Sequence, residues 1–136
     1  MLEAFDKTVE KEQDNGHNLI GLVCDLERGT IMEVSVRKVV NKYFQDSDRI
    51  VLASCDGGGI YLYRRDKLFA IVFDPKFETV LSCLSSDFNR FYDRYKSTVK
   101  KGKFQAQLRK LILKDETIRE LLSSIKRKLI GEEPSR

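Results

Sequence analysis

The stretch from Arg49 to Asp74, RIVLASCDGGGIYLYRRDKLFAIVFD, constrains this chain more than any other. Short apolar runs rich in β-branched and aromatic residues follow one another, and each junction carries residues suited to chain reversal. Asp56-Gly57-Gly58-Gly59 supplies positions that tolerate positive φ, and Arg65-Asp66-Lys67 makes the second turn. The pattern predicts a three-strand meander. Ile60 and Leu62 fall on one face of its middle strand and Tyr61 and Tyr63 on the other, while the last run, LFAIVF, is apolar on both faces. A sheet covered on both sides is expected, with that last strand central.

Upstream, Leu2, Phe5 and Val9 recur at helical spacing and predict a short first helix ended by Asn15-Gly16. Asn18 to Leu26 reads as a strand buried on both faces. Glu27-Arg28-Gly29 reads as a hairpin turn into Thr30 to Val36, where Ile31, Glu33 and Ser35 alternate with Met32, Val34 and Val36 as in a half-exposed second strand. From Val36 the period changes. Val36, Val39, Val40, Tyr43 and Phe44 fit one helical face and predict a short crossing helix, with a strand continued through Val40 as the alternative because of the β-branched content. Gln45 to Asp48 closes the segment as a polar loop.

Downstream, Asp74-Pro75 has the form of a helix start, with a carboxylate to accept orphan amides and a proline in the first turn. Phe77, Leu81, Leu84, Phe88, Phe91 and Tyr95 then make an aromatic-rich stripe on a long helix that Gly102 breaks. Leu108, Leu111, Ile112, Ile118, Leu121, Leu122, Ile125 and Leu129 mark one or two further amphipathic helices, with Asp115 as a second cap. The expected fold is α+β in layers: a five-stranded, mostly antiparallel sheet in the order α-β-β-α-β-β-β-α, with an additional C-terminal helical segment. The expected organisation is a domain over 1–102, a helical extension over 103–130 packed on that domain or on a partner, and a frayed tail over 131–136.

At 136 residues and 41% hydrophobic content the chain can close a single core, and its 34% of charged residues alternate with apolar positions instead of forming a disordered tract. No apolar run reaches the length of a membrane span, and the first residues are acidic and amphipathic where a secretory leader would be basic and then apolar. The three cysteines, Cys24, Cys55 and Cys83, are widely spaced in apolar surroundings, which reads as buried thiols in a reducing, cytoplasmic setting.

Chemistry-bearing motifs resolve into bland readings. The triple glycine lacks the lysine and hydroxyl residue of a phosphate loop and is followed by a strand, so a tight turn is expected. Asp25 with Glu27 and Asp46 with Asp48 sit at strand ends and turns, without a basic partner at diagnostic spacing. Ser54 and Cys55 have no elbow motif around them, and His17, the single histidine, lies beside Gly16 in a loop. Neither a zinc spacing nor a catalytic constellation is present. The expectation is a non-enzyme without cofactor or metal.

The formal charge of +4 is unevenly placed. Acids of the first helix, Glu3, Asp6, Glu10, Glu12 and Asp14, contrast with a basic stretch from Lys96 to Lys114 that holds no acid. Within it Lys96, Lys100, Lys101, Lys103, Arg109 and Lys110 are the candidate contacts for a partner or an anionic surface. Like charges without interspersed acids repel unless a helix dipole or an anionic partner compensates them. An acidic protein or an anionic membrane fits better than nucleic acid, since Phe104 is the only aromatic set among those lysines.

The segments HNLIGLVCDLERGTIMEVS and DRIVLASCDGGGIYLYRRDKLFAIVFDPKFETVLSCL resemble the first hairpin, the meander and the final helix of roadblock domains, and the overall order is similar to that of the related longin domains. The likeness is one of hydrophobic spacing and turn placement over about two thirds of the chain. It departs from roadblock domains in a shorter crossing helix and in the helical segments after the last strand. The resemblance implies a non-catalytic platform, paired as a homodimer or with a related domain, that regulates or scaffolds a small Ras-like GTPase or a trafficking assembly, in the cytoplasm or at a membrane surface.

Overall fold

A computed structural model describes residues 1–12, 19–95 and 101–130 of the chain. Contacts divide the chain into two units, Met1–Phe77 and Glu78–Arg136. The first unit opens with α1 (Leu2–Glu12), β1 (Ile20–Asp25) and α2 (Ile31–Tyr43). A 3-10 turn (Asp46–Asp48) leads into β2 (Arg49–Cys55), β3 (Gly58–Arg65) and β4 (Leu68–Asp74). The sheet order is β1-β4-β3-β2, with β1 parallel to β4 and the other pairs antiparallel. The meander forms as its residues predict, and β4 is central.

Helices α1 and α2 cover one face of this sheet. Phe5 is buried with Ile20 and Val39, and Leu2, Val9, Leu22, Tyr43 and Leu68 pack around them. A second cluster joins Leu26, Val36 and Val72, with Cys24, Val40 and Tyr63 at its margin. Each such side chain contributes about 1.5–3 kcal/mol on burial, so the spacing of Leu2, Phe5 and Val9 is what holds α1 in place. On the other face Ile60 and Leu62 are fully buried, and Phe73 meets Phe77 edge to face.

The sheet has four strands and is mixed, not five and mostly antiparallel. Thr30 to Val36 is not a strand: Thr30 is the N-cap residue of α2, and Ile31 to Tyr43 is one continuous helix. Met32 and Val36 lie four residues apart, so their alternation serves a helical face equally well. Ile31, at 85% exposure, faces solvent. The deciding signal is Thr30-Ile31-Met32-Glu33, a capping-box sequence. Glu33 Oε1 accepts the Gly29 amide at 2.9 Å, and the Thr30 hydroxyl donates to the Glu27 carbonyl at 2.6 Å. Glu27-Arg28-Gly29 is therefore a turn into a helix, with Glu27 and Gly29 both at positive φ. Strand β1 lies at the edge of the sheet, and Val23 is 61% exposed, so it is not buried on both faces.

The glycine run divides its work. Asp56 and Gly57, both at positive φ, form the reversal between β2 and β3. Gly58 and Gly59 belong to β3, where a Cβ would lie 2.2 Å from the Asp74 carbonyl oxygen and 2.3 Å from that of Ala53, respectively. Asp74 does not cap a helix. Its carboxylate ends β4 in a fork with Arg28: Nη2 donates to Oδ2 at 2.6 Å, and Nε lies 2.6 Å from Oδ1. Arg28 Nη2 also donates to the Gly57 carbonyl at 2.6 Å. One side chain thus ties together the β1–α2 turn, the β2–β3 turn and the end of β4.

The helices that follow are α3 (Phe77–Leu84), α4 (Ser86–Tyr95), α5 (Lys101–Lys114) and α6 (Glu116–Ile130). The cap at the start of α3 comes from β1, where Asp25 Oδ1 accepts the Phe77 amide at 2.8 Å. The expected long helix is broken at Ser85, whose hydroxyl oxygen accepts the Phe88 amide at 3.0 Å and so caps α4. Gly102 is not the break; it lies inside α5. Asp115 caps α6 as its position predicts, accepting the Ile118 amide on Oδ1 at 2.9 Å. The two caps meet: Ser85 Oγ donates to Asp115 Oδ2 at 2.5 Å, and both residues are buried. Around this clasp Leu81, Phe88 and Ile118 form the core of the helical unit, with Phe91, Leu108, Leu111 and Leu121 packed against it.

Among the described residues no helix is long and apolar enough to cross a membrane. Cys24 is free, and burial, reinforced by neighbouring Asp25, pushes its thiol up to about 11. The expectation of three buried, reduced thiols fails: Cys24 is only half-buried, and the disulfide bonding of the other two removes the argument for a reducing setting. Cys55 is half-buried, Cys83 is exposed, and each is disulfide-bonded.

Candidate functional site

On the helical unit two stripes with the same spacing face each other. Helix α4 presents Asp87, Arg90, Phe91 and Arg94, and α5 presents Gln107, Lys110, Leu111 and Lys114, each at i, i+3, i+4 and i+7. Residues so spaced share one helical face. Together they line a groove of about 360 Å³. Phe91 and Leu111 are half-buried because their inner sides pack on the Phe88 core, and their outer sides give the groove an apolar floor. The four cations are exposed and form its walls.

Arg90 donates to Asp87 one turn earlier on the same helix. Arg94, Lys110 and Lys114 pair with no described acid. Arg94 and Lys114 stand in the last turns of their helices, where cations complement the helix dipole, and that alone would account for these two. Arg90 is matched by Asp87, and neither account covers Lys110, which lies a turn before Lys114 on the same face. Four cations stand against the single acid Asp87 in the groove lining, and a concave surface with such an excess of positive charge concentrates its field and attracts anions.

The residues singled out from sequence divide. Lys96 and Lys100 lie outside the described residues. Lys101 and Lys103 fall in the first turn of α5, with their side chains likewise outside the description. Arg109 is exposed on α5 but does not line the groove, and Lys110 does. Arg90 and Arg94 were not singled out, although their spacing from each other and from Phe91 repeats that of Lys110, Leu111 and Lys114.

The first unit has a smaller cleft of about 240 Å³ between α2 and the sheet, floored by Leu26, Val36, Val40 and Val72 and rimmed by Arg37, Arg49, Tyr61 and Asp74 among others. Three of its four charged lining residues have side-chain partners in the same unit. Arg37 pairs with Glu33 at 2.7 Å, Asp74 with Arg28, and the Arg49 guanidinium lies over the Tyr61 ring at 4.7 Å. The hydrogen bond from Arg28 to Asp74 holds the guanidinium proton more tightly than usual. Nearby Asp48 accepts the Gln45 amide and pairs with Arg65, and these contacts, the amide first, lower its pKa. The acids Asp25, Asp48 and Asp74 thus serve as caps and ion-pair partners.

Comparison with protein-family models, with curated proteins and with solved structures gives no match to this chain. The likeness to roadblock and longin domains therefore rests on the sequence pattern.

Proposed function

We propose that this chain is a non-catalytic interaction module that holds an acidic partner in the groove between α4 and α5. The observation that carries this reading is the convergence of Arg90, Arg94, Lys110 and Lys114, from two helices, on one apolar-floored concavity. Arg94, Lys110 and Lys114 have no described acid to pair with, whereas Arg28, Arg37, Lys42 and Arg65 of the sheet-bearing unit each have one.

The narrower form of the proposal, a platform for a small Ras-like GTPase, draws on the helix, strand, crossing helix and meander of the first unit, an order that differs from the roadblock plan by the missing second strand. Light scattering and binding to small GTPases test that form. A strict monomer that binds none of them would end it.

The groove is tested with poly-L-glutamate as the anionic probe. Binding should weaken steeply as salt rises from low to moderate, because the contacts are exposed and screened over about 10 Å at 0.1 M. The double substitution Lys110→Glu with Lys114→Glu should abolish it. Binding that ignores both salt and the substitutions would refute the groove as the site.

A further inference from the structure

We infer that the occupant of this groove is an acidic amphipathic helix of a protein partner, about two turns of which lie along the stripes of α4 and α5. The inference rests on the proposal that the groove takes an anionic partner, and it adds the partner's class.

Three features lead to a helix. The stripes each cover seven residue steps, about 10.5 Å along a helix axis at 1.5 Å per residue, which is two turns of an apposed helix. The floor is apolar at Phe91 and Leu111, and a third helix set on a helix pair buries an apolar ridge in such a groove. Cations without an acid partner stand on both helices, Arg94 on α4 and Lys110 and Lys114 on α5, while Arg90 is engaged by Asp87 on its own helix, so the complementary object carries carboxylates on both flanks of that ridge and more of them toward α5. An acidic amphipathic helix has this cross-section.

Other anions match less of the groove. A bilayer is flat on this scale and would meet the crests of α4 and α5, leaving Phe91 and Leu111 unused. A nucleic acid strand places phosphates in the cleft, where an apolar floor offers them nothing, and binding of single strands draws on exposed aromatic faces for stacking. Phe91 is half-buried and packs on the core with Phe88.

The test uses the full chain and a fluorescein-labelled helical peptide of about 14 residues, four turns. Leucines stand at i, i+4 and i+7, with glutamates at i+1, i+3, i+8 and i+10. A scrambled peptide of identical composition, a single-stranded thymidine oligonucleotide and phosphatidylserine-containing vesicles serve as competitors. The ordered helix should bind at least about tenfold more tightly than its scramble, a difference the apolar floor supplies at equal charge. Lys110→Glu with Lys114→Glu should remove that binding. These two residues are exposed, so loss of fold does not confuse the result. Equal affinity for ordered and scrambled peptides, with sensitivity to the substitutions kept, overturns the helix and leaves an anion groove. Displacement of the peptide by vesicles or by the oligonucleotide at lower concentration does the same. If no anionic probe responds to the substitutions, the groove itself fails as the site, and the inference with it.

Discussion

In the sheet-bearing unit Arg28, Arg37, Lys42 and Arg65 each reach a carboxylate, on Asp74, Glu33, Asp6 and Asp48 respectively. In the helical unit Arg94, Lys110 and Lys114 reach none that is described, though the three share one groove with Arg90. Both units have apolar cores, so the contrast lies in what the cations are for. Pairs such as Lys42 with Asp6 and Arg65 with Asp48 connect elements distant in sequence and fix their arrangement. A cluster of like charges fixes nothing, and under the proposed function its mutual repulsion would be relieved by an anion from outside. The helical unit instead takes its order from a buried clasp of two helix caps and from aromatic packing.

That division predicts a descending series of effects. The largest is at Phe88, fully buried and stacked on Tyr92. Phe88→Ala should lower stability by about 3–5 kcal/mol in urea unfolding. Next comes the clasp. Asp115→Ala removes the cap of α6 and strands the buried Ser85 hydroxyl, at about 2–3 kcal/mol. Ser85→Ala removes the cap of α4 at about 1–2 kcal/mol, and the double variant should fall short of the sum, since the two share a hydrogen bond. Additive losses would mean that the caps act independently. Smaller still, Lys110→Glu with Lys114→Glu should move stability by no more than about 0.5 kcal/mol while removing anion binding. A large loss of stability in that variant would make the groove cations structural and erase the contrast between the units.

Much of this architecture is legible in the residues, and the failures have a common cause. The meander is set by local turn chemistry and by the alternation of Ile60 and Leu62 with Tyr61 and Tyr63, all readable within a short window. Asp115 is likewise a local cap. The second strand failed because the alternation in Thr30 to Val36 is shared by both periods; the capping-box sequence from Thr30 to Glu33 separates them, although in the fold Glu33 takes the Gly29 amide and the Thr30 side chain makes no cap bond. The partner of Asp74 was out of reach: Arg28 meets it only once β1 has paired with β4. The same holds for Asp25, which caps α3 from 52 residues away. At the site, a basic run counted along the chain captured Lys110 but not Arg90 and Arg94. Charges join by helical face, and α4 contributes its face from outside that run.

The smallest effect separates the units by pH. Hydrogen bonds from Lys42, then from Tyr43, hold Asp6 below its ordinary range. The Gly29 amide, then Arg37, does the same for Glu33. A carboxylate with a depressed native pKa adds stability that is present above its unfolded pKa, near 4, and is lost as pH falls through the native value. Lys42 shifts upward through its bond to Asp6, so its share is complete below its unfolded pKa, near 10, and disappears only as pH rises beyond the native value. Thermal melts should therefore show a plateau around neutral pH and a decline below about pH 4. In Asp6→Asn the melting temperature should start lower and decline less steeply, since one of the titrating carboxylates is gone. The exposed members of these pairs are screened, so added salt should shrink the difference. Parallel declines in the two proteins would show that the Lys42–Asp6 pair contributes nothing in solution, and the docking of α1 on α2 would then rest on the apolar packing of Phe5, Ile20 and Val39.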